Sequence, residues 1–160
     1  MEKKLNTKET FDLAVKKHQE KNYQVAINLY NEVLKVEPKH VDAHNNLGVI
    51  SEKQGDLQKA KNYYKKAIEI NSNKPDIHNN LGVIFNTLGD YQKAISCYEK
   101  AIAIDPNYLN AHFNLGTVFN TLGDHQKAIS CYEKAIAINP NYADALNNLG
   151  TVSKELENPQ

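Results

Sequence analysis

The feature that most constrains this chain is a segment that returns at a fixed distance. Residues 81–108 read LGVIFNTLGDYQKAISCYEKAIAIDPNY, and residues 115–142 repeat them almost unchanged, 34 positions later. The same spacing separates four Leu-Gly pairs along most of the chain, which begin at positions 47, 81, 115 and 149. A unit of this length buries its apolar face by stacking on its neighbours. The chain is therefore expected to be an array of repeats, in which function belongs to a surface.

Each repeat is predicted to contain two amphipathic helices. Apolar residues recur three and four positions apart, as in Ala94, Tyr98 and Ala101, which is the spacing of one helix face. A glycine that ends one helix and an aspartate that caps the next stand together at Gly89-Asp90. The second helix is expected to end before Pro106, because proline cannot continue a helix. The predicted fold class is all-α, a solenoid of stacked antiparallel helix pairs.

The repeat register divides the chain into units. Residues 1–160 are predicted to form one domain with repeats at 7–40, 41–74, 75–108 and 109–142. The first repeat fits the pattern weakly and is polar, as expected of an N-terminal cap. Residues 143–160 match only a first helix, so they are either half of a further repeat or a capping helix.

This pattern resembles the tetratricopeptide repeat family. The matching residues are Gly82, Phe85, Gly89, Ala94, Tyr98, Ala101 and Pro106, with their counterparts in the following repeat. The tryptophan that the family often has is replaced by His44, His78, His112 and Leu146. The resemblance implies a right-handed α-solenoid whose first helices line a concave groove, and it implies binding of a protein or peptide rather than catalysis.

The charge balance argues against several classes of partner. The chain has 19 lysines, no arginine, and 19 acidic residues, so its formal net charge is zero. No net field is expected to attract nucleic acid or an anionic membrane, and no guanidinium fork is available for phosphate. The sequence has no apolar run of the roughly 20 residues that a membrane span needs. It also shows no signal peptide. The protein is therefore expected to be soluble and cytoplasmic.

No residue pattern predicts catalysis, a metal site or a cofactor. Cys97 and Cys131 occupy equivalent positions in successive repeats and are interpreted as reduced, partly buried helix residues. The histidines of the tryptophan position also recur once per repeat, about 10 Å apart, which is too far to share one zinc ion. They are interpreted as packing residues. The protein is accordingly predicted not to be an enzyme.

The candidate binding residues lie on the first helices. An asparagine precedes every Leu-Gly pair, although asparagine is a poor helix former. An amide carries donors and an acceptor, so this column, Asn46, Asn80, Asn114 and Asn148, is suited to pairing with peptide groups of an extended ligand. It resembles the tetratricopeptide superhelix of O-linked N-acetylglucosamine transferase and SPINDLY-type bacterial proteins. The other residues of the predicted groove are Asn45, Val49, Asn79, Val83, Asn86, Phe113, Thr117 and Asn120. The alternative interpretation is that the amides only bridge adjacent helices or bind water.

Two functions remain open from the sequence. The first is a non-catalytic scaffold that binds an extended peptide or a partner helix in the asparagine-lined groove. The second is a substrate-recognition or oligomerisation arm of a larger glycosyltransferase or methyltransferase. An end-to-end homodimer through residues 143–160 is also considered, because Leu146, Leu149 and Val152 are expected to face a missing partner.

Overall fold

The computed structural model describes residues 6–157, and within this range it confirms the predicted all-α fold. Between residues 6 and 157, nine helices alternate between the first and second positions of the repeats. The chain divides into two compact units, Met1–Asn73 and Lys74–Gln160. Unit 1 contains α1 (Thr7–Gln19), α2 (Tyr23–Val36), α3 (Val41–Lys53) and α4 (Leu57–Ile70). Unit 2 contains α5 (Pro75–Thr87), α6 (Tyr91–Ile104), α7 (Leu109–Thr121), α8 (His125–Ile138) and α9 (Ala143–Glu157).

Unit 1 is held together by a core between its two helix pairs. Helices α1 and α2 pack as one pair, α3 and α4 pack as the other, and α2 contacts α3. Tyr30 of α2 is completely buried at the centre of the cluster that joins them. The other buried members are small or branched: Ala14, Ala26, Val33, Ala43, Leu47 and Ile50. Burial of one large ring among small side chains lets the helices approach closely.

Unit 2 repeats this arrangement with one more helix. Helices α5 and α6 form a pair, α7 and α8 form the next, and α9 packs on α8. Tyr132 is the buried ring between α8 and α9, where it lies with Ala128, Ala135, Ala145 and Val152. Val152 is fully buried in this cluster, so the expectation that it faces a missing partner is wrong. The longest helix of the described range has 15 residues, and no helix within residues 6–157 is long and apolar enough to cross a bilayer.

The turns within the repeats follow the sequence prediction. Gly89 has a φ of 75°, a left-handed conformation that glycine adopts without strain. Asp90 then caps α6, because its carboxylate accepts a hydrogen bond of 3.3 Å from the backbone N–H of Lys93. In the first repeat Lys21 stands at the glycine position with a φ of 59°, which costs a residue with a side chain about 1 kcal/mol.

The Leu-Gly glycines have a packing role that composition alone does not reveal. A Cβ atom built on Gly48 would lie 2.5 Å from the ring of Tyr64, and one on Gly82 would lie 2.6 Å from the ring of Tyr98. Gly116 meets Tyr132 in the same way, at 2.8 Å. Each glycine therefore makes room for the tyrosine ring of its own second helix.

This close approach predicts opposite effects for two equivalent glycines. In Gly82→Ala, overpacking against Tyr98 costs about 1–3 kcal/mol and outweighs the roughly 1 kcal/mol that alanine gains over glycine in a helix, so the variant should be less stable by up to about 2 kcal/mol. Gly150→Ala should stabilise it by up to about 1 kcal/mol, since no atom within 4 Å would meet the new Cβ. Urea denaturation measures both values.

The two variants control for each other because the substitution and its repeat position are the same. A loss of stability in Gly150→Ala, or a gain in Gly82→Ala, would contradict the role assigned to the tyrosine ring.

Candidate functional site

The predicted binding residues of unit 2 lie on the first helices α5, α7 and α9. We call their surface the unit 2 first-helix face. Its partly exposed members are Asn80, Val83, Asn86, Phe113, Asn114, Thr117, Asn120 and Asn148. Asn79 differs from the prediction, because it is only 6% exposed. Its amide is turned into the contact between α5 and α7 instead of lining an open surface.

The amides of Asn79 and Asn114 join these two first helices. The Nδ2 atom of Asn114 donates to Oδ1 of Asn79 over 3.0 Å. Because a primary amide has two N–H donors and one acceptor oxygen, this bond uses only part of the capacity of Asn114. The contact therefore fixes the orientation of the Asn114 amide while its oxygen and second N–H stay available.

Asn148 is held by the preceding tyrosine. Its Nδ2 atom donates to the hydroxyl of Tyr132 over 3.4 Å, and that hydroxyl donates to Oγ1 of Thr117 over 3.5 Å. Phe113 lies beside this chain of bonds, with its ring centroid 5.9 Å from that of Tyr132 and 5.1 Å from that of Tyr142. The result is a polar network next to a partly exposed aromatic surface.

The same elements occur in unit 1. Asn46 of α3 donates through Nδ2 to the Tyr30 hydroxyl over 3.1 Å, and His18 lies 3.5 Å from that hydroxyl. Burial raises the pKa of Tyr30 to about 12, so this hydroxyl keeps its proton at physiological pH. Asn45 and Val49 are partly exposed on α3, beside Asn46.

Glu52 places a carboxylate on α3, a first helix of unit 1. The Tyr64 hydroxyl donates to its carboxylate over 2.9 Å. Burial, followed by the negative charge of Glu52, raises the pKa of Tyr64 far above its usual range. The tyrosine therefore stays neutral and holds the carboxylate in place.

Sequence reasoning missed the polar role of the second-helix tyrosines. The sequence predicts an apolar helix face that contains Tyr98, but at the equivalent positions of other repeats the hydroxyls of Tyr30, Tyr64 and Tyr132 reach polar groups of the first helices. The available signal was that all four repeats use tyrosine and none uses phenylalanine. A purely apolar contact would not require the hydroxyl.

The histidines of the tryptophan position are buried, which confirms their interpretation as packing residues. His44, His78 and His112 are 7%, 5% and 9% exposed. His44 and His112 also bind backbone, since Nε2 of His44 donates to the Pro38 carbonyl and Nε2 of His112 donates to the Pro106 carbonyl, each over 2.9 Å. These bonds tie a first helix to the turn before it.

Neither cysteine has the environment of a nucleophile. Cys97 is buried on α6, Cys131 is partly buried on α8, and both are free thiols. Burial raises the pKa of Cys131 to about 11, which keeps the thiol protonated and unreactive. Within residues 6–157, no three histidine, cysteine or acidic side chains are grouped closely enough to hold a metal ion.

Comparison with protein families identifies the repeat. Sequence models described as tetratricopeptide repeats match residues 40–107, 73–141 and 131–160, and a model described as a TPR repeat matches residues 17–55. The search of curated proteins gave no match.

Solved structures show the same architecture. The chain is 29% identical to MamA, with 94% of this chain and 82% of MamA covered and a TM-score of 0.83. It is 24% identical to the first TPR of Spaghetti (RPAP3), solved with the HSP90 peptide SRMEEVD, over 74% of this chain and 94% of that one, with a TM-score of 0.72. It is 20% identical to YrrB, described as a TPR protein with an unusual peptide-binding site. That match covers 97% of this chain and 80% of YrrB, with a TM-score of 0.79. The last two likenesses show the fold alone.

The amide contact in unit 2 predicts measurable coupling. In a double-mutant cycle of Asn79→Ala and Asn114→Ala, the coupling free energy should be about 0.5–1.5 kcal/mol, because either single change leaves a buried or half-buried amide without its partner. Urea denaturation of the two single variants and the double variant provides the values. Simple additivity would show that the bond adds nothing to stability.

His18 predicts loss of stability in acid. Burial, followed by the charge of Lys53, lowers the pKa of His18 below its usual 6.5, so the unfolded chain takes up this proton first on acidification. Neutral His18 makes its full contribution to the free energy of unfolding above about pH 6.5, and this contribution is lost as the pH falls toward the pKa of His18 in the folded protein. Urea midpoints at pH 7.5 and 5.5 should therefore differ more in the wild type than in His18→Gln. Equal shifts in both proteins would contradict the assignment.

Proposed function

The chain belongs to the tetratricopeptide repeat family, and we propose that it is a non-catalytic scaffold that binds an extended peptide on the unit 2 first-helix face. The observation that carries the proposal is the fixed orientation of the asparagine amides. Asn114 and Asn148 are each held through one N–H, at Asn79 and at Tyr132. Each amide keeps an acceptor oxygen and a second donor for a ligand.

Such amides suit the backbone of a peptide better than its side chains. An extended peptide presents N–H and C=O groups at regular intervals, and an amide pairs with both kinds of group. A side chain already held in one rotamer loses little conformational entropy when it binds. Asn80 of α5 occupies the repeat position of Asn114 and Asn148, so it adds a third asparagine to the proposed binding surface. Binding through the backbone would tolerate many ligand sequences.

Apolar groups beside the amides would supply affinity. Val83 of α5 and Phe113 of α7 are partly exposed, and Phe113 already rests on the rings of Tyr132 and Tyr142. Covering such surface contributes roughly 25 cal/mol per Å² of apolar area removed from water. Ligand side chains that alternate with the paired backbone groups would contact these two residues.

The comparisons support a peptide ligand without naming it. The first TPR of Spaghetti was solved with a bound HSP90 peptide, and YrrB is described as having an unusual peptide-binding site. The resemblance of the asparagine column to that of O-linked N-acetylglucosamine transferase rests on the sequence pattern alone. A substrate-recognition arm of a larger enzyme would bind its polypeptide on this same face, so both functions predict the same contacts.

The test uses peptides selected by the protein itself. Unstructured peptides are selected from a displayed random library, and their affinities are measured by fluorescence anisotropy. The double variant Asn80→Ala/Asn114→Ala should weaken binding at least tenfold, since two backbone contacts are lost. N-methylation of the ligand backbone at the paired positions should have a similar effect.

A matched control separates this result from general loss of amides. Asn107→Ala/Asn141→Ala removes two exposed asparagines from turns of the same unit and should leave affinity unchanged. Circular dichroism establishes that both double variants are folded at the temperature of the titration. Full affinity of the selected peptides for Asn80→Ala/Asn114→Ala would overturn the proposal.

A further inference from the structure

A cleft opens in unit 1 between the second helices α2 and α4. Its apolar walls are formed by Leu34 of α2, Pro38 of the following turn, and Tyr63 and Ile70 of α4. His44 of α3 also lines it and is the most buried of the lining residues. The cleft has a volume of 470 Å³, within the range of roughly 300–1,000 Å³ that is usual for ligand pockets. We call this space the His44 cleft.

The cleft follows from the repeat pattern, because the same positions form one in unit 2. A cleft of 580 Å³ there is lined by Pro106, His112, Lys134 and Ile138, at the repeat positions of Pro38, His44, Lys66 and Ile70. An imidazole is smaller than the indole that the family often has at the histidine position, and replacement of a large ring by a small one leaves space. The repeat therefore builds a recess beside each of these two histidines.

The His44 ring carries a polar atom without a partner. Nε2 donates to the Pro38 carbonyl over 2.9 Å, which leaves Nδ1 as an acceptor. Nδ1 is buried and has no hydrogen-bond partner within residues 6–157. The whole side chain is only 7% exposed, and buried polar groups are normally hydrogen-bonded. An occupant of the cleft that brings an O–H or N–H donor would satisfy this atom.

Tyr63 provides an aromatic surface beside the imidazole. Its ring centroid lies 6.2 Å from that of His44, and the two ring planes are tilted by 39°. Both rings line the cleft. An aromatic ring that enters gains from contact with another ring beyond the apolar area that it buries. A phenol suits the cleft best, because it combines such a ring with the hydroxyl donor that Nδ1 lacks.

The rim of the cleft is basic. Lys39 and Lys66 line it together with a single carboxylate, Glu69, and the amide of Asn31. Both lysines are exposed, and neither forms an ion pair with another residue in the described range 6–157. Helix α4 carries four lysines and one acidic residue in all. The rim is therefore complementary to a ligand with carboxylates, which it would both attract and orient.

We propose that the His44 cleft binds a tyrosine flanked by acidic residues in a peptide segment of a partner protein. The phenol ring of this tyrosine lies against Tyr63, and its hydroxyl donates to Nδ1 of His44. The neighbouring carboxylates of the peptide pair with Lys39 and Lys66. All of these contacts are made by unit 1, so the proposal does not depend on peptide binding at the unit 2 first-helix face.

The test is an NMR titration, which locates weak binding on the protein. The probe is the peptide acetyl-Gly-Glu-Tyr-Glu-Gly-amide, and the protein is the isotope-labelled 160-residue chain. We expect saturable shifts of the His44 and Tyr63 ring signals at millimolar peptide, the affinity range of a short ligand that loses its freedom on binding. Shifts of exposed lysines without a response from the His44 ring would overturn the proposal.

Three changed peptides separate the contributions of ring, hydroxyl and charge. Phenylalanine in place of the tyrosine keeps the ring and removes the donor, so it should weaken binding about two- to tenfold. Lysines in place of both glutamates should abolish the shifts, because like charges then meet at the rim. Alanine in place of the tyrosine should also abolish them. If the alanine peptide binds as tightly as the original, charge alone attracts the peptide and the proposal is wrong.

Two charge variants of the protein form a matched pair. Lys66→Glu reverses a charge on the rim and should weaken binding of the probe about tenfold. Lys65→Glu makes the same change of net charge at the next residue of α4, which is exposed and does not line the cleft, so it should have a much smaller effect. Equal losses in the two variants would show that net charge, rather than the cleft, holds the peptide.

Filling the cleft tests its location independently of charge. His44→Trp places an indole in the recess and removes Nδ1, so binding of the probe should be lost. The circular dichroism spectrum and the thermal midpoint establish that the variant is folded. Binding that persists in folded His44→Trp would contradict the assignment, and so would binding that persists in Lys66→Glu should the tryptophan variant fail to fold.

Discussion

The packing of a tyrosine ring over a helix glycine is the contact on which the rest of this structure depends. At Gly48, Gly82 and Gly116 the ring lies where a Cβ atom would otherwise stand. Because glycine has no side chain, the first and second helices of a repeat can approach closely. The tyrosine ring then buries the apolar area that glycine itself does not provide. Because the ring ends in a hydroxyl, the same residue brings a polar group to the first helices, at Thr117 in unit 2 and at Glu52 in unit 1.

This double use of tyrosine links packing to the candidate binding surface. The core holds the ring, the ring fixes the hydroxyl, and the hydroxyls of Tyr30 and Tyr132 accept hydrogen bonds from Asn46 and Asn148. The amides are thus positioned by the same contacts that stabilise the helix pairs. Bridging between helices and pairing with a ligand are compatible roles for one amide, because a bridge uses one of its two N–H groups. The proposed surface therefore needs no loops to position it.

Much of the fold was predictable, because helix period and turn chemistry are local properties. The glycine-aspartate turns and the ends of the second helices lie where the sequence placed them, and the histidines pack as expected. The candidate site was less predictable. Asn79 and Asn114 occupy neighbouring positions of the repeat pattern, in successive repeats. Only the distance between α5 and α7 makes the buried Asn79 an acceptor for Asn114. The same applies to Val152, whose burial depends on the angle at which α9 meets α8.

The repeat period, the helical content, the turns and the family can all be read from residue spacing along one chain. The sharing of polar groups between helices and the lack of a covering ring at one glycine depend on the distances between helices, so they follow only from the packing. Gly150 and Gly116 are indistinguishable in the Leu-Gly pattern. They differ because Tyr132 covers Gly116, while no described residue lies above Gly150.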